Sequence, residues 1–291
     1  MDLDPRLNAY RPDLAASALR GRVESARFVE GRPARVAGSL ADLRRRPEAG
    51  APLDTQLLFG EAVTVYDEAG GWAWVQNAAD GYVGYVEAER LAEAGPGDPP
   101  RHYLKVLRSF VYPEPDLKTP PLLAVSFMSP LQVVGTRERY SEIALPDGGR
   151  GWVYTAHFAE AGETAPDFVA TAHMFLGVPY LWGGRSSLGL DCSALIQLCL
   201  ARAGLACPRD TYVQETGLGE AVAGPAGEAR LRRGDLVFFP GHVAIALNET
   251  EVLHSNAGAM LTVIEPLADL VRRVEAESGG RGITGVRRLD P

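Results

Sequence analysis

Hydrophobic and polar positions alternate through much of the first half of the chain. Val63-Thr64-Val65-Tyr66, Trp72-Ala73-Trp74-Val75 and Tyr82-Val83-Gly84-Tyr85-Val86 each alternate, with Gly70-Gly71 and Asp80-Gly81 turning the chain between them. Short alternating strands with turn signals at this spacing predict a small barrel. Asp13 to Val23 reads as a weak helix leading into it. Gly95-Pro96-Gly97-Asp98-Pro99-Pro100 is a linker by composition. The pattern then repeats in outline. Val106 to Phe110 answers Val36 to Leu40, Pro113-Glu114 answers Pro47-Glu48, Leu131 to Val134 answers Ala62 to Val65, and Gly149 to Val153 answers Gly81 to Val86. This is the signature of two diverged copies of one module.

After a second linker, Ala161 to Pro166, the periodicity changes. Asp167 caps a predicted helix over Phe168 to Leu176. Asp191 caps a second, which opens at Cys192, runs through Leu198, Cys199, Leu200 and Ala203, and stops at Gly204. Strands follow at Gly234–Phe239, His242–Leu247 and Glu251–Ser255, turned by Pro240-Gly241 and Asn248-Glu249-Thr250. Leu267 to Glu277 reads as a late helix and Gly282 to Leu289 as a last strand. Helices followed by an antiparallel sheet make this part α+β.

Composition narrows the function. The chain has 291 residues, enough for two or three domains. A net charge of −8 argues against nucleic acid and against anionic membrane surfaces as partners. Arg44-Arg45-Arg46 reads as a solvated turn. No apolar run is long enough to cross a bilayer, and Met1-Asp2-Leu3-Asp4-Pro5-Arg6 lacks the apolar core of a secretory signal, so a cytoplasmic location is expected. Three cysteines without a Cys-x-x-Cys pair suit neither a disulfide framework nor a zinc site, and no metal or cofactor is expected. Cys199 and Cys207 read as structural, and His102, His157 and His173 as surface or packing residues, with His173 a weaker alternative partner for the base.

The candidate chemistry centres on Cys192 in the first turn of its helix. Backbone N–H groups and the helix dipole there favour a thiolate. Two antiparallel strands folded about Asn248 bring His242 and His254 close to opposite one another. One imidazole can take the thiol proton while the other fixes its tautomer.

Trp182-Gly183-Gly184, Asp191-Cys192-Ser193 opening a helix, Gly234-Asp235-Leu236-Val237-Phe238-Phe239, Gly241-His242-Val243 and a second histidine one strand later resemble the NlpC/p60 family of papain-like cell-wall cysteine peptidases. The two repeated modules resemble bacterial SH3-like barrels. The resemblance implies a multidomain chain: two small all-β SH3-like barrels followed by an α+β papain-like (NlpC-type) catalytic domain. The expected boundaries are 1–97 for the N-terminal segment and first SH3-like domain, 101–160 for the second, and 165–291 for the peptidase domain. It implies Cys192 as nucleophile, His242 as base, His254 as orienting residue, and the Tyr180 hydroxyl with the Cys192 N–H as oxyanion donors. It implies Asp210, beside Thr211, as the partner of a substrate α-amine, with Asp191 and Ser193 contacting the γ-D-glutamyl carboxylate region or capping the helix. Glu61 with Tyr82 or Tyr85 match residues that close the substrate end of the cleft in such relatives; the alternative is a surface carboxylate and barrel-core aromatics. The implied substrate is a murein tripeptide or tetrapeptide with a free N-terminal L-Ala, cut between γ-D-Glu and the diamino acid in wall-peptide recycling. An amidase or acyltransferase on the same fold, or an idle wall-binding protein, are the alternatives.

Overall fold

The computed structural model describes residues 3–94, 99–222 and 230–289. Of the predicted linker at 95–100, residues 95–98 lie outside the described residues, as do Met1 and Asp2. The chain divides into two compact units, Met1–Glu163 and Thr164–Pro291.

The first unit is all β. Its first sheet has seven strands, in the spatial order Leu53–Leu58, Leu40–Arg44, Val83–Glu87, Trp72–Asn77, Ala62–Ala69, Arg32–Val36, Leu91–Glu93. Alternation fills the inside of this sheet: Ala41 and Leu43 of one strand and Val63 and Val65 of another are buried with Val75, Tyr82 and Val86. The second sheet system repeats the order. Leu123–Ser126 pairs with Arg108–Val111; a bridge from Tyr112 to Trp152 leads to Arg150–Tyr154, then Tyr140–Ala144, Pro130–Arg137, His102–Leu104 and Phe158–Glu160. Even the irregularities correspond. A bulge between Val65 and Asp67 is matched by one between Val133 and Gly135, and the 3₁₀ turn Ala88–Arg90 by Thr155–His157. The structural repeat shifts the first aligned pair by two residues, since Arg108 starts the strand that answers the one starting at Leu40, and the pair at Ala62 by one, since Pro130 answers it. Phe59 of the first module is buried with Leu104, Leu131 and Ile143 of the second. The backbone approaches closely there, and a Cβ on Gly60 would lie 2.4 Å from the Pro130 carbonyl oxygen.

The helix expected over Asp13 to Val23 does not form. Ala15–Ala16 pairs in parallel with Phe28–Val29, and Ser17–Leu19 makes a single 3₁₀ turn. A helix this short has little stability of its own. Burial of Leu14, Ala16 and Leu19 with Trp74 and Val83 decides the conformation instead. Arg44, Arg45 and Arg46 pair with Asp42, Asp54 and Glu48.

The second unit is α+β. Six antiparallel strands lie in the order Glu220–Ala221, Gly285–Arg288, Leu236–Phe239, His242–Ala246, Glu251–Asn256, Leu261–Pro266. Val237, Phe239, Ala244, Ala246 and Val252 are buried with Leu270 of the helix Leu267–Ser278. The helix Cys192–Arg202 packs on strands His242–Ala246 and Glu251–Asn256, with every residue from Cys192 to Leu200 buried. Phe168–His173 is shorter than expected, but Asp167 caps it through the Ala170 N–H. No helix among the described residues is long and apolar enough to cross a membrane.

Candidate active site

One carboxylate organises the approach to Cys192. Asp191 has extended backbone angles, and its Oδ1 accepts the Ala194 N–H at 2.9 Å, which caps the helix. Its Oδ2 accepts the Gly183 N–H at 3.0 Å, which holds the preceding loop. That loop is tight: a Cβ on Gly184 would lie 2.6 Å from the Gly189 carbonyl oxygen. Arg209 grips the same carboxylate with both terminal nitrogens, at 2.9 and 2.7 Å, and donates to Ser193 Oγ at 2.8 Å. Arg209 is buried, so this pair is fixed in a low-dielectric setting.

Cys192 is 6 % exposed. The Val243 amide donates toward its sulfur, and Thr211 Oγ1 lies 3.9 Å away. Val243 directly follows His242, so the thiol sits at the end of the strand that carries the histidine. Burial pushes the thiol up to about 11, with the Asp191 charge adding to the effect. The Val243 amide, Thr211 and Arg209 pull the other way and lose. The thiolate expected from the helix terminus is therefore overruled by desolvation, and Cys192 rests as a thiol.

The histidines form a chain that runs beyond the pair. His242 Nε2 lies 2.7 Å from His254 Nδ1. The strand register pairs Ile245 with Leu253, so the two rings meet diagonally rather than face to face. His254 is fully buried, and its Nε2 lies 2.6 Å from Glu265 Oε1. Arg273 in turn pairs with Glu265. Burial pushes His242 down to about 3, with His254 and Arg273 adding to it and Glu265 opposing. Burial likewise pushes His254 down to about 4, against Glu265. Both rings are neutral near pH 7. Burial works to raise Glu265, but Arg273 and His254 together hold it below the ordinary carboxylate range. Since His242 Nε2 is engaged, Nδ1 is the ring nitrogen left to receive a proton. A thiol and a strand-end imidazole are the two groups that a nucleophile–base pair requires.

Residues 177–272 match the model of the NlpC/P60 family, and residues 43–91 that of the bacterial dipeptidyl-peptidase SH3 domain. The C-terminal unit belongs to the NlpC/P60 family. A solved NlpC/P60 family protein from Bacillus cereus superposes with a TM-score of 0.76 at 25% identity, covering 89% of this chain and 100% of that one. The gamma-D-glutamyl-L-lysine dipeptidyl-peptidase of Bacillus cereus is 28% identical over 74% of this chain and 71% of its own length. Dipeptidyl-peptidase 6 of Lysinibacillus sphaericus is 27% identical over 77% of this chain and 87% of its own.

Other residues singled out in the sequence fall as follows. In the NlpC/P60 unit, Tyr180 is half-buried on a segment tied to the strand Leu261–Pro266 and its preceding turn. Its own N–H donates to the Met260 carbonyl, and the Gly177 N–H to that of Thr262. Burial and the negative charges that Cys192 and Asp191 can carry raise its phenol, so it is a neutral donor. Asp191 and Ser193 are buried in the cap network described above. Asp210 stands at the N-cap of the helix Thr211–Gly217 but makes no side-chain cap bond there. His173 Nδ1 bonds to the Val169 carbonyl of its own helix. Cys199 is buried and Cys207 half-buried. In the first unit, Tyr82 packs in the core of the first β module. The Glu61 carboxylate accepts the Leu58 N–H at 2.9 Å, and the Tyr85 hydroxyl accepts from Arg11 at 3.2 Å. His102 stacks edge-on against Phe158, and His157 Nδ1 meets Ser109 Oγ at 2.8 Å. Among the described residues no cluster of His, Cys, Asp or Glu is suited to hold a metal.

Glu265, Asn256 and Arg209 were missed as site residues. For Glu265 a signal existed. His254 pairs with Val263, so Glu265, two positions on, shares its face of the sheet.

Proposed function

We propose that the protein is a cysteine endopeptidase that hydrolyses murein peptides between γ-D-Glu and the diamino acid, acting on released peptides that carry a free N-terminal L-Ala. The observation that carries the peptidase reading is a buried thiol at a helix N-terminus, on the strand end of an imidazole hydrogen-bonded to a second imidazole. In this reading Cys192 Sγ attacks the γ-carbonyl as its proton passes to His242 Nδ1. The Cys192 N–H and the neutral Tyr180 hydroxyl receive the developing oxyanion. His242 then gives the proton to the leaving amine of the diamino acid, and a thioester remains. Water, deprotonated by His242, releases L-Ala-γ-D-Glu and restores the thiol. Similarity to the gamma-D-glutamyl-L-lysine dipeptidyl-peptidase supports the bond. Asp210, next to Thr211 near the sulfur, is the carboxylate assigned to the substrate ammonium. The second β module is read as a diverged SH3-like barrel, on its matching strand order. A recycling role goes with a cytoplasmic location, which fractionation of cells tests.

The substrate reading is tested with L-Ala-γ-D-Glu-diamino acid, its N-acetyl form, and intact wall, whose stem peptides lack a free amine. Loss of a well-buried ammonium–carboxylate contact costs roughly 2–5 kcal/mol, so acetylation is expected to lower kcat/KM by about 30- to 4,000-fold. Asp210→Asn keeps the shape and removes the charge, and it is expected to narrow that gap. Comparable cleavage of all three substrates refutes the free-amine requirement and the recycling role.

A further inference from the structure

His254 Nε2 is faced by two groups that ask opposite things of it. Glu265 Oε1, at 2.6 Å, is a charged acceptor and needs a proton on Nε2. Asn256 Nδ2, at 2.8 Å, is a donor and needs a bare Nε2. The amide is not free to turn over, because Asn256 Oδ1 accepts the Ala259 N–H at 2.7 Å. The choice travels through the ring. With the proton on Nε2, His254 Nδ1 is an acceptor, so His242 must donate to it from its own Nε2, 2.7 Å away. His242 Nδ1 is then a bare lone pair. With the proton on His254 Nδ1 the pair reverses: His242 Nε2 accepts, its proton moves to Nδ1, and no base remains at that nitrogen.

We propose that Glu265 is a positioning residue that sets the tautomers of both histidines: it accepts from His254 Nε2–H and so leaves His242 Nδ1 bare for the Cys192 proton. The proposal rests on the reading of His242 as base, and it adds a fourth group to that reading. A charged acceptor forms the stronger bond, so the carboxylate prevails over the amide of Asn256. Arg273 holds both carboxylate oxygens in place. Asp269 and Glu277 act on Arg273, while Asp191 and Arg209 act on Cys192 at the other end of the chain. When His242 takes the thiol proton, the same relay points a negative charge along the axis of the new imidazolium.

Glu265→Met keeps bulk and removes the acceptor. Asn256→Asp in that background puts an acceptor back at the same nitrogen. Arg273→Met removes the ion pair and leaves the carboxylate. Each is read by ¹⁵N shifts of histidine-labelled full-length protein and by kcat and KM on L-Ala-γ-D-Glu-diamino acid. The wild type is expected to carry protons on Nε2 of both rings. Glu265→Met is expected to move both to Nδ1 and to lower kcat on the order of 10²- to 10⁴-fold, with KM changed less than about threefold. The double variant is expected to restore the tautomers and most of the rate, and Arg273→Met to keep the wild-type tautomers. A role in stability alone predicts that Arg273→Met behaves like Glu265→Met, and that result overturns the proposal. So do unchanged tautomers in Glu265→Met. If that variant does not fold, a wild-type spectrum with the proton on His254 Nδ1 overturns it by itself. Wild-type protein that cleaves no peptide but shows the expected shifts refutes the peptidase reading and leaves the tautomer assignment standing.

Discussion

Replacing Arg209 by methionine tests whether the Asp191 network is what holds the nucleophile in place. Breaking a buried ion pair by removing one partner costs about 3–5 kcal/mol, because a charge is left behind. Here the charge left behind is not bare: Asp191 keeps the Gly183 and Ala194 amides and the Ser193 hydroxyl. Arg209→Met therefore belongs near the lower end, about 3 kcal/mol. Asp191→Asn strands a buried guanidinium and belongs nearer the upper end. The double variant buries no charge, so it is expected to cost about 1–3 kcal/mol less than the sum. For a unit of this size about 3 kcal/mol lowers Tm by roughly 10 °C, which calorimetry of the full chain resolves. Cys192 supplies a second readout with a different sign. Arg209 lowers the thiol and Asp191 raises it. Alkylation by iodoacetamide at fixed pH is thus expected to slow in Arg209→Met and to quicken in Asp191→Asn, although both variants lose stability. A loss under about 1 kcal/mol, strict additivity, or alkylation rates that move together would refute the reasoning.

Two further predictions concern the reaction. Cys192→Ser and Cys192→Ala are expected to abolish hydrolysis in a folded protein, as is His242→Ala, with His254→Ala losing less; iodoacetamide is expected to mark Cys192 before Cys199 and Cys207, and labelling of either other cysteine with activity kept removes the nucleophile assignment. His242 and His254 are held neutral well below the ordinary 6.5, so the base form is present far into acid and kcat/KM is expected to show no acid limb near 6.5. The same depression means that the unfolded chain binds more protons below about 6.5, so stability is expected to fall as pH drops from there toward 4; a Tm that stays flat over that range, or drops equally in His242→Ala and His254→Ala, contradicts the burial argument.

Local rules carried the sequence far where the deciding physics was local. Alternation located the strands Ala62–Ala69 and Trp72–Asn77 to within three residues at each end, because one face of each is buried. The Asp191 cap and the Gly204 stop fixed the nucleophile helix for the same reason: Asp191 accepts from Ala194, and Gly204 has φ +81°. Asp13 to Val23 failed because its fate is set by Trp74 and Val83, far along the chain. The histidine pair was legible from strand order, but its diagonal register was not. Register depends on the whole ladder, including pairs such as Val252 with Ala246 that no motif marks.

The error about the thiolate is the most instructive for mechanism. A helix terminus, a nearby guanidinium and an amide aimed at sulfur all argue for a charged nucleophile, and each is real. They are weak against the removal of a thiol from water, which can shift a buried group by up to 3–5 units. The same burial depresses His242, so the resting pair is thiol and neutral imidazole rather than an ion pair. In the proposed reaction the proton then moves during attack, and the reaction depends on a bare nitrogen already waiting at His242. Which nitrogen is bare is a question of tautomer, and the tautomer is decided at His254, next to Asn256 and Glu265. Burial of the nucleophile and control of the distant imidazole are thus one problem: the more the site excludes water, the more its activity depends on hydrogen bonds that never touch the substrate.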